Sequence, residues 1–321
     1  MKKQKKKKVL ICGATGFIGR NIANHFSKEK GFEVYGTYHK TKPYQASKIH
    51  MMSADLTNEK DVKKVIKGMD VVIQAAATTS GANDIIKKPY YHVTDNAVMN
   101  SLIFRAAYEH NISHLIFFSC TVMYQSSNKP LKESDFDASK EIYPKYFGVG
   151  WTKVYIEKMA EFYSRIGNTR YTVIRHSNIY GPYDKFDLER SHVFGATITK
   201  IMKTRNKGEI IVWGEGKEAR DLLYISDLVN FVEIAINKQK SKFELFNVGL
   251  SKSISITNLV KKIIKHSGKN LKIRYDRNKP TLKTKLCLNI IKAKRLFGWS
   301  PKISLDEGIK KTIDWYKLNY K

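Results

Sequence analysis

Cysteine is scarce in this chain. Only Cys12, Cys120 and Cys287 occur in 321 residues, far apart and without metal-ligand spacing, which argues against a disulfide framework and against a bound metal. Their default reading is as buried small hydrophobes. No run of about 18 apolar residues is present to cross a bilayer. The lysine-rich start "MKKQKKKK" leads into a core strand instead of the apolar stretch and cleavage site of a signal peptide. A cytoplasmic protein with no membrane partner is expected. Acidic residues are also in short supply, 29 Asp and Glu against 58 Lys and Arg, giving a formal net charge of +29. A nucleic-acid partner is one reading of that excess. The distribution argues against it: beyond the first eight residues the lysines are scattered through amphipathic segments such as "LVKKIIKHSGKNLKIRY", as on solvated helix faces. A phosphate-bearing small ligand gains equally from such a charge.

What is present is an alternation of strands and helices. At 42% hydrophobic residues the chain can bury a full core, as one large domain or two closely joined ones. The run Val9 to Cys12 predicts a buried strand, Ile22, Ala23 and Phe26 repeat at helical spacing, and Val34 begins a second strand. Further strands are expected at 69–77, 114–120 and from 171. Helices are expected at 94–110 and from Thr152 to about Ile166. Strands alternating with helices imply a Rossmann-type, doubly wound parallel sheet covered on both faces. From about Tyr183 the elements shorten, without a flexible linker. The expected division is a dinucleotide-binding domain over 1–182 and a small α/β substrate cap over 183–321, with some chain crossing between them and ligand in the cleft.

Between the first strand and helix, "GATGFIG" spaces Gly13, Gly16 and Gly19 as G-x-x-G-x-x-G. Gly13 allows the tight turn, Gly16 lets the backbone approach a pyrophosphate, and Gly19 permits close helix packing. The helix N-terminus favours the anion. The second strand runs into "GTYHKTK", with His39 and Lys40 and no carboxylate, which leans toward NADP(H) over NAD(H). Asp55 in "SADLT" reads from the residues alone as a helix cap before "NEKDVKKVI".

These segments, with "DVVIQAAA", "FFSCTVMY", "WTK", "RHSNIYGP", "WGEGKEARDLLYISDLV" and "LFNVG", resemble in their order the extended short-chain dehydrogenase/reductase family of nucleotide-sugar epimerases, dehydratases and reductases. Within it the chain is similar to the GDP-L-fucose synthase-like group, notably in "NIYGPYDKFDLERSHVFGATITKIM". The resemblance implies an NAD(P)-dependent enzyme that moves hydride at C4 of a nucleotide-linked hexose, as an epimerase or 4-keto reductase. It places Gly13, Thr15, Gly16, Phe17, Ile18, Gly19, His39, Lys40, Asp55, Leu56, Ala75, Ala76, Ala77 and Lys153 around the cofactor, with Asp55 touching the adenine. Asn178 and His192 are implied to line the sugar-nucleotide site and Arg220 to meet a diphosphate, an anion that an arginine fork suits. Asp221 is expected to hold its loop. Family members commonly pair through two helices in a four-helix bundle, which implies a homodimer.

The departures from the family pattern concern the chemistry. The acid/base tyrosine that belongs four residues before Lys153 is Val149, and valine transfers no proton. The Ser or Thr that belongs four residues before Tyr124 is Cys120. The positions of an epimerising cysteine and histidine hold Val122 and Tyr183. Lys153 stands intact. Tyr146, one helical turn from Val149 if that segment is helical, together with Tyr124, Tyr183, Thr121 and Cys120, is a candidate for the missing proton relay. Water relayed by Lys153 is another. The alternative is a non-catalytic relative that binds cofactor and nucleotide-sugar.

Overall fold

A computed structural model describes residues 5–78, 88–188, 191–279, 281 and 284–320. The first four residues of the lysine-rich start lie outside it. The N-terminal half runs β1 (Lys7–Cys12), α1 (Phe17–Phe26), β2 (Phe32–Tyr38), β3 (Ile49–Ser53), α2 (Glu59–Ile66), β4 (Val71–Gln74), α3 (Thr94–Glu109), β5 (His114–Phe118), α4 (Phe147–Ile166) and β6 (Arg170–His176). These strands form a parallel sheet in the order β6-β5-β4-β1-β2-β3, and the expected doubly wound architecture is observed. Alternate residues of each strand feed two cores, as a sheet covered on both faces requires. Val9, Ile11, Ile73, Ile116 and Ile174 pack with Ile22, Ala23 and Phe26 of α1. Leu10, Val72, Leu115, Phe117 and Val173 pack with Val62 of α2, Phe104 of α3 and Ile156 of α4.

The later half adds β7 (Asn178–Tyr180), α5 (Val193–Lys203), β8 (Glu209–Trp213), β9 (Ala219–Tyr224), α6 (Ile225–Lys238), β10 (Phe243–Val248), β11 (Ser253–Ser255), α7 (Ile256–Ser267), β12 (Lys272–Asp276), β13 (Lys285–Leu286), α8 (Ile291–Phe297) and α9 (Leu305–Asn319). β10 returns to the main sheet and pairs with β6 as a seventh parallel strand. β11, β9 and β13 form a small sheet on which β7 also pairs, and β12 pairs with β8. Among the described residues no helix is long and apolar enough to cross a membrane.

α4 begins at Phe147, not Thr152, so Val149 lies inside the helix. The cause is local: Pro144 opens a 3-10 turn, Pro144–Tyr146, that feeds directly into α4, and proline at a first helical position leaves no amide orphaned. A second difference concerns Asp55. The cap of α2 is Asn58, whose side chain accepts from the Lys60 and Asp61 amides, while Asp55 accepts from the amide and hydroxyl of Thr57 two residues on.

Candidate active site

At the glycine turn the backbone has a reason for each glycine. Gly13 sits at φ +76°, and a Cβ there would lie 2.8 Å from the Ala76 Cα. A Cβ on Gly19 would lie 2.2 Å from the Gly13 carbonyl oxygen, so α1 touches the end of β1 only because that atom is missing. Gly16 is the N-cap of α1, with no side chain capping the helix and no acid in its first turn. A Cβ there would meet only the Gly13 carbonyl, at 3.3 Å. The amides of Phe17 and Ile18 therefore open the helix beside an uncrowded surface, which fits a pyrophosphate. Thr15 is half-buried on the same turn, and Ala75 and Ala76 are half-buried after β4, with Ala77 exposed. Gln74 holds that stretch, donating to the Ala76 carbonyl at 3.2 Å and accepting from the Ala76 amide. Beyond β2, His39 and Lys40 are exposed and lie within electrostatic reach of the Asp55 carboxylate. The hydrogen bonds from Thr57, and then the electrostatic influence of those two side chains, hold that carboxyl below its ordinary value. Leu56 is buried beneath them.

The second group gathers at the carboxyl edge of the same sheet, where open α/β sheets bind ligands. Cys120 follows β5, Lys153 projects from α4, His176 ends β6, and His192 caps α5. Cys120, Lys153 and His176 are half-buried and His192 is exposed, so each keeps part of its surface open at this edge. Lys153 Nζ donates to the Phe118 carbonyl at 2.8 Å and sits 4.7 Å from the Phe117 ring centroid. Burial lowers its pKa, opposed by Cys120 and Glu157, while burial raises the Cys120 thiol against the pull of Lys153. Thr121, next to Cys120, opens a turn by accepting the Tyr124 amide at 3.1 Å.

Beneath this edge lies a buried polar network. Arg175 donates to both oxygens of Glu157 at 3.0, 3.1 and 2.6 Å, and Ser119 donates to Glu157 at 2.5 Å. Arg175 also donates to the Tyr124 hydroxyl at 2.9 Å, and that hydroxyl donates to Asn247 at 2.9 Å. Tyr124 is thus committed inside the core, its phenol pushed up to about 12 by burial, and it does not face the cleft.

Tyr146 is 8% exposed. Its hydroxyl turns to Thr284, with Arg220 and Cys120 within electrostatic reach, and burial raises its pKa. Arg220 donates from Nη1 to the carbonyls of Ala219 at 2.8 Å and Thr284 at 2.9 Å, so both side chains meet at Thr284, just before β13. Asp221 accepts from the amides of Leu250, Ser251 and Leu288 at 2.8, 3.1 and 3.1 Å. It holds its loop as expected, with burial raising its carboxyl to about 6. Asn178 donates to the Asp221 carbonyl at 3.2 Å.

Tyr183 is placed elsewhere. It has φ 69°, and its ring lies 4.1 Å from the Arg20 guanidinium and 5.0 Å from the Trp315 ring. With Thr15, Arg20 and Asp184 it lines a cavity on the glycine-turn side. Among the described residues no contact joins it to Lys153 or Cys120, because the Arg20 guanidinium, stacked between Tyr44 and Tyr183, draws the ring away.

His176 is passed over by motif reading, since "RHSNIYGP" draws attention to its asparagine and glycine. Its Nδ1 lies 2.7 Å from the Ser177 carbonyl oxygen, and its ring meets Phe118 edge to face at 6.1 Å. Lys153 and His192 are within electrostatic reach of it. A histidine at the carboxyl end of a parallel strand, one residue before a polar turn, is the signal that could have found it.

A family model described as "NAD dependent epimerase/dehydratase family" matches residues 9–249. GDP-L-colitose synthase of Yersinia pseudotuberculosis is 30% identical over 320 residues, covering 98% of this chain and 99% of that protein. GDP-L-fucose synthase of Azorhizobium caulinodans is 29% identical, covering 97% of each. Among solved structures, UDP-glucose 4-epimerase of Thermotoga maritima with UDP-glucose matches at a TM-score of 0.86 and 22% identity, covering 98% of this chain and 100% of that one. UDP-glucuronic acid 4-epimerase of Bacillus cereus, in complex with UDP-glucuronic acid and NAD, matches at 0.83 and 23%, covering 98% and 100%. At these identities the two structures speak to the fold.

Proposed function

The chain belongs to the NAD dependent epimerase/dehydratase family, and from that premise we propose that it transfers hydride at hexose C4 of a GDP-sugar, as an epimerase or 4-keto reductase. One observation carries this reading: the sheet keeps both an unobstructed glycine turn after β1 and Lys153 set against the end of β5, a combination that a mere scaffold does not need. The GDP-sugar is favoured by the two relatives whose names carry GDP-sugars and that match along nearly their whole length. Gly13, Gly16, Gly19 and the first turn of α1 hold the cofactor's pyrophosphate, Asp55 and Leu56 its adenine end, and Ala75 to Ala77 its underside. Lys153 meets its nicotinamide ribose. Bound there, the nicotinamide exchanges a hydride with the sugar carbon. His39 and Lys40 favour a 2′-phosphate and hence NADP(H). Arg220 meets the nucleotide diphosphate, and Asn178 and His192 line the sugar-nucleotide site. The molecule works as a homodimer through α3 and α4.

Val149 favours a second reading, a binder of cofactor and nucleotide-sugar without turnover, because valine leaves the usual proton-transfer position empty. The experiment that separates the two is nicotinamide absorbance of the purified protein as GDP-sugars are added singly. A rise of the reduced-nicotinamide band with a hydroxyl sugar, or its loss with a 4-keto sugar, supports the enzyme. No change with either supports the binder.

A further inference from the structure

We propose that His176 is the proton-transfer group that replaces the tyrosine absent at Val149, its Nε2 taking the proton of the sugar hydroxyl and returning it. The assignment rests on the reading of the cleft as a sugar-oxidising or keto-reducing site. It begins from the tautomer. A carbonyl oxygen only accepts, so the 2.7 Å contact to the Ser177 oxygen puts the ring's hydrogen on Nδ1 and leaves the lone pair on Nε2. Among the described residues Nε2 has no hydrogen-bond partner, and the ring keeps part of its surface open. The ring is also held in place: it packs edge-on with Phe118, ring centroids 6.1 Å apart, and the carbonyl of that same Phe118 receives Lys153 Nζ at 2.8 Å. One strand end therefore sets the lysine and the imidazole side by side.

The other candidates are weaker on geometry. Tyr124 is tied between Arg175 and Asn247, Tyr183 lies against Arg20, and Tyr146 turns to Thr284. Cys120 carries a protonated thiol, a weak donor.

The step balances as follows. The O–H bond of the sugar breaks and its proton bonds to the Nε2 lone pair. The carbon's hydrogen departs with both bonding electrons as hydride to the oxidised nicotinamide cofactor, and C–O becomes C=O. The sugar is oxidised by two electrons and the nicotinamide reduced by two. The imidazole gains one positive charge as the nicotinamide ring loses one, so the net charge of the site is unchanged. That matters here, because the groups facing the ring are the cation Lys153 on α4 and His192 at the start of α5. Burial first, then these neighbours, hold the free imidazole neutral, with its pKa lowered to about 4. The base form is therefore present at neutral pH.

The test uses the full-length protein loaded with oxidised cofactor. In the His176→Asn variant, whose amide can still donate to the Ser177 carbonyl, hydroxyl-sugar turnover is expected to fall about 10²–10⁴-fold, with cofactor affinity unchanged. A second readout needs no turnover: ¹⁵N spectra of histidine-labelled wild type should show a neutral Nδ1–H ring for His176, and the nucleotide-sugar should shift Nε2 and leave Nδ1 in place. A variant that turns over at the wild-type rate, or an Nε2 resonance indifferent to the sugar, overturns the assignment and leaves the enzymatic reading standing. Wild type that binds neither cofactor nor any nucleotide-sugar overturns both.

Discussion

At Gly13 a single hydrogen atom decides whether the cradle forms. Gly13→Ala would place a methyl 2.8 Å from Ala76 in a left-handed backbone, at a cost of about 1–3 kcal/mol in strain alone. We expect a lowered melting temperature together with loss of cofactor binding, measured by thermal shift with and without cofactor. Glu157 poses a different residue-scale problem. It and Arg175 are each about 5% exposed as side chains, so Glu157→Gln leaves a buried guanidinium without its counter-charge, and denaturant unfolding should show a loss of about 3–5 kcal/mol. The glycines and Lys153 are legible in the sequence because their spacing is local. The Glu157–Arg175 pairing and the placement of His176 are not, since they depend on α4 crossing the ends of β5 and β6. Tyr183 shows the opposite limit: its turn is legible, but nothing in the sequence announces that Arg20, a distant residue, captures its ring.

Among the elements, β5 carries the clearest pH response. His114 opens the strand fully buried, its Nε2 2.7 Å from the Thr172 hydroxyl on β6. Burial, and then Arg170 and Lys7, lower its pKa from 6.5 to about 3. The unfolded chain takes up a proton near pH 6.5, whereas the folded chain does so only near 3. The stabilisation is therefore complete above 6.5 and is lost as pH falls toward 3, by up to about 5 kcal/mol. Urea unfolding at stepped pH should show this decline, and His114→Gln, which cannot protonate, should flatten part of it; His176 and His192, also lowered by burial, act in the same direction, and Asp221, whose carboxyl burial raises, opposes them. The strands of the main sheet were legible as apolar runs and the long helices by their period. β11 and β13, of three and two residues, carry too little pattern to be read. The early start of α4 was hidden because "YPKYFGVG" mixes proline, glycine and aromatics, all poor helix formers.

For the molecule as a whole, α3 and α4 pack side by side and leave Val98, Tyr155, Phe162 and Ile166 about 40–55% exposed. Met159 and Tyr163, on the same stretch of α4, instead pack against the core. Single exposed apolar residues are ordinary, but several on two adjacent helices are what the proposed homodimer would cover. We expect a dimer by sedimentation, and Phe162→Asp should convert it to a monomer without changing the circular dichroism. The overall architecture was legible because alternating strands and helices admit few topologies.

The return of β10 to the main sheet has a consequence for how such chains can exchange parts. The strand that closes the sheet against β6 comes after the chain has already built β8 and β9, which pair outside that sheet. A fragment ending near residue 182 lacks it and presents a bare edge of β6, ready to pair with another copy. A later half grafted from a relative at one junction would therefore bring a foreign edge strand into this core. Exchange of the later half between relatives needs two further junctions, one on each side of Phe243–Val248, or it must replace the sheet's border as well.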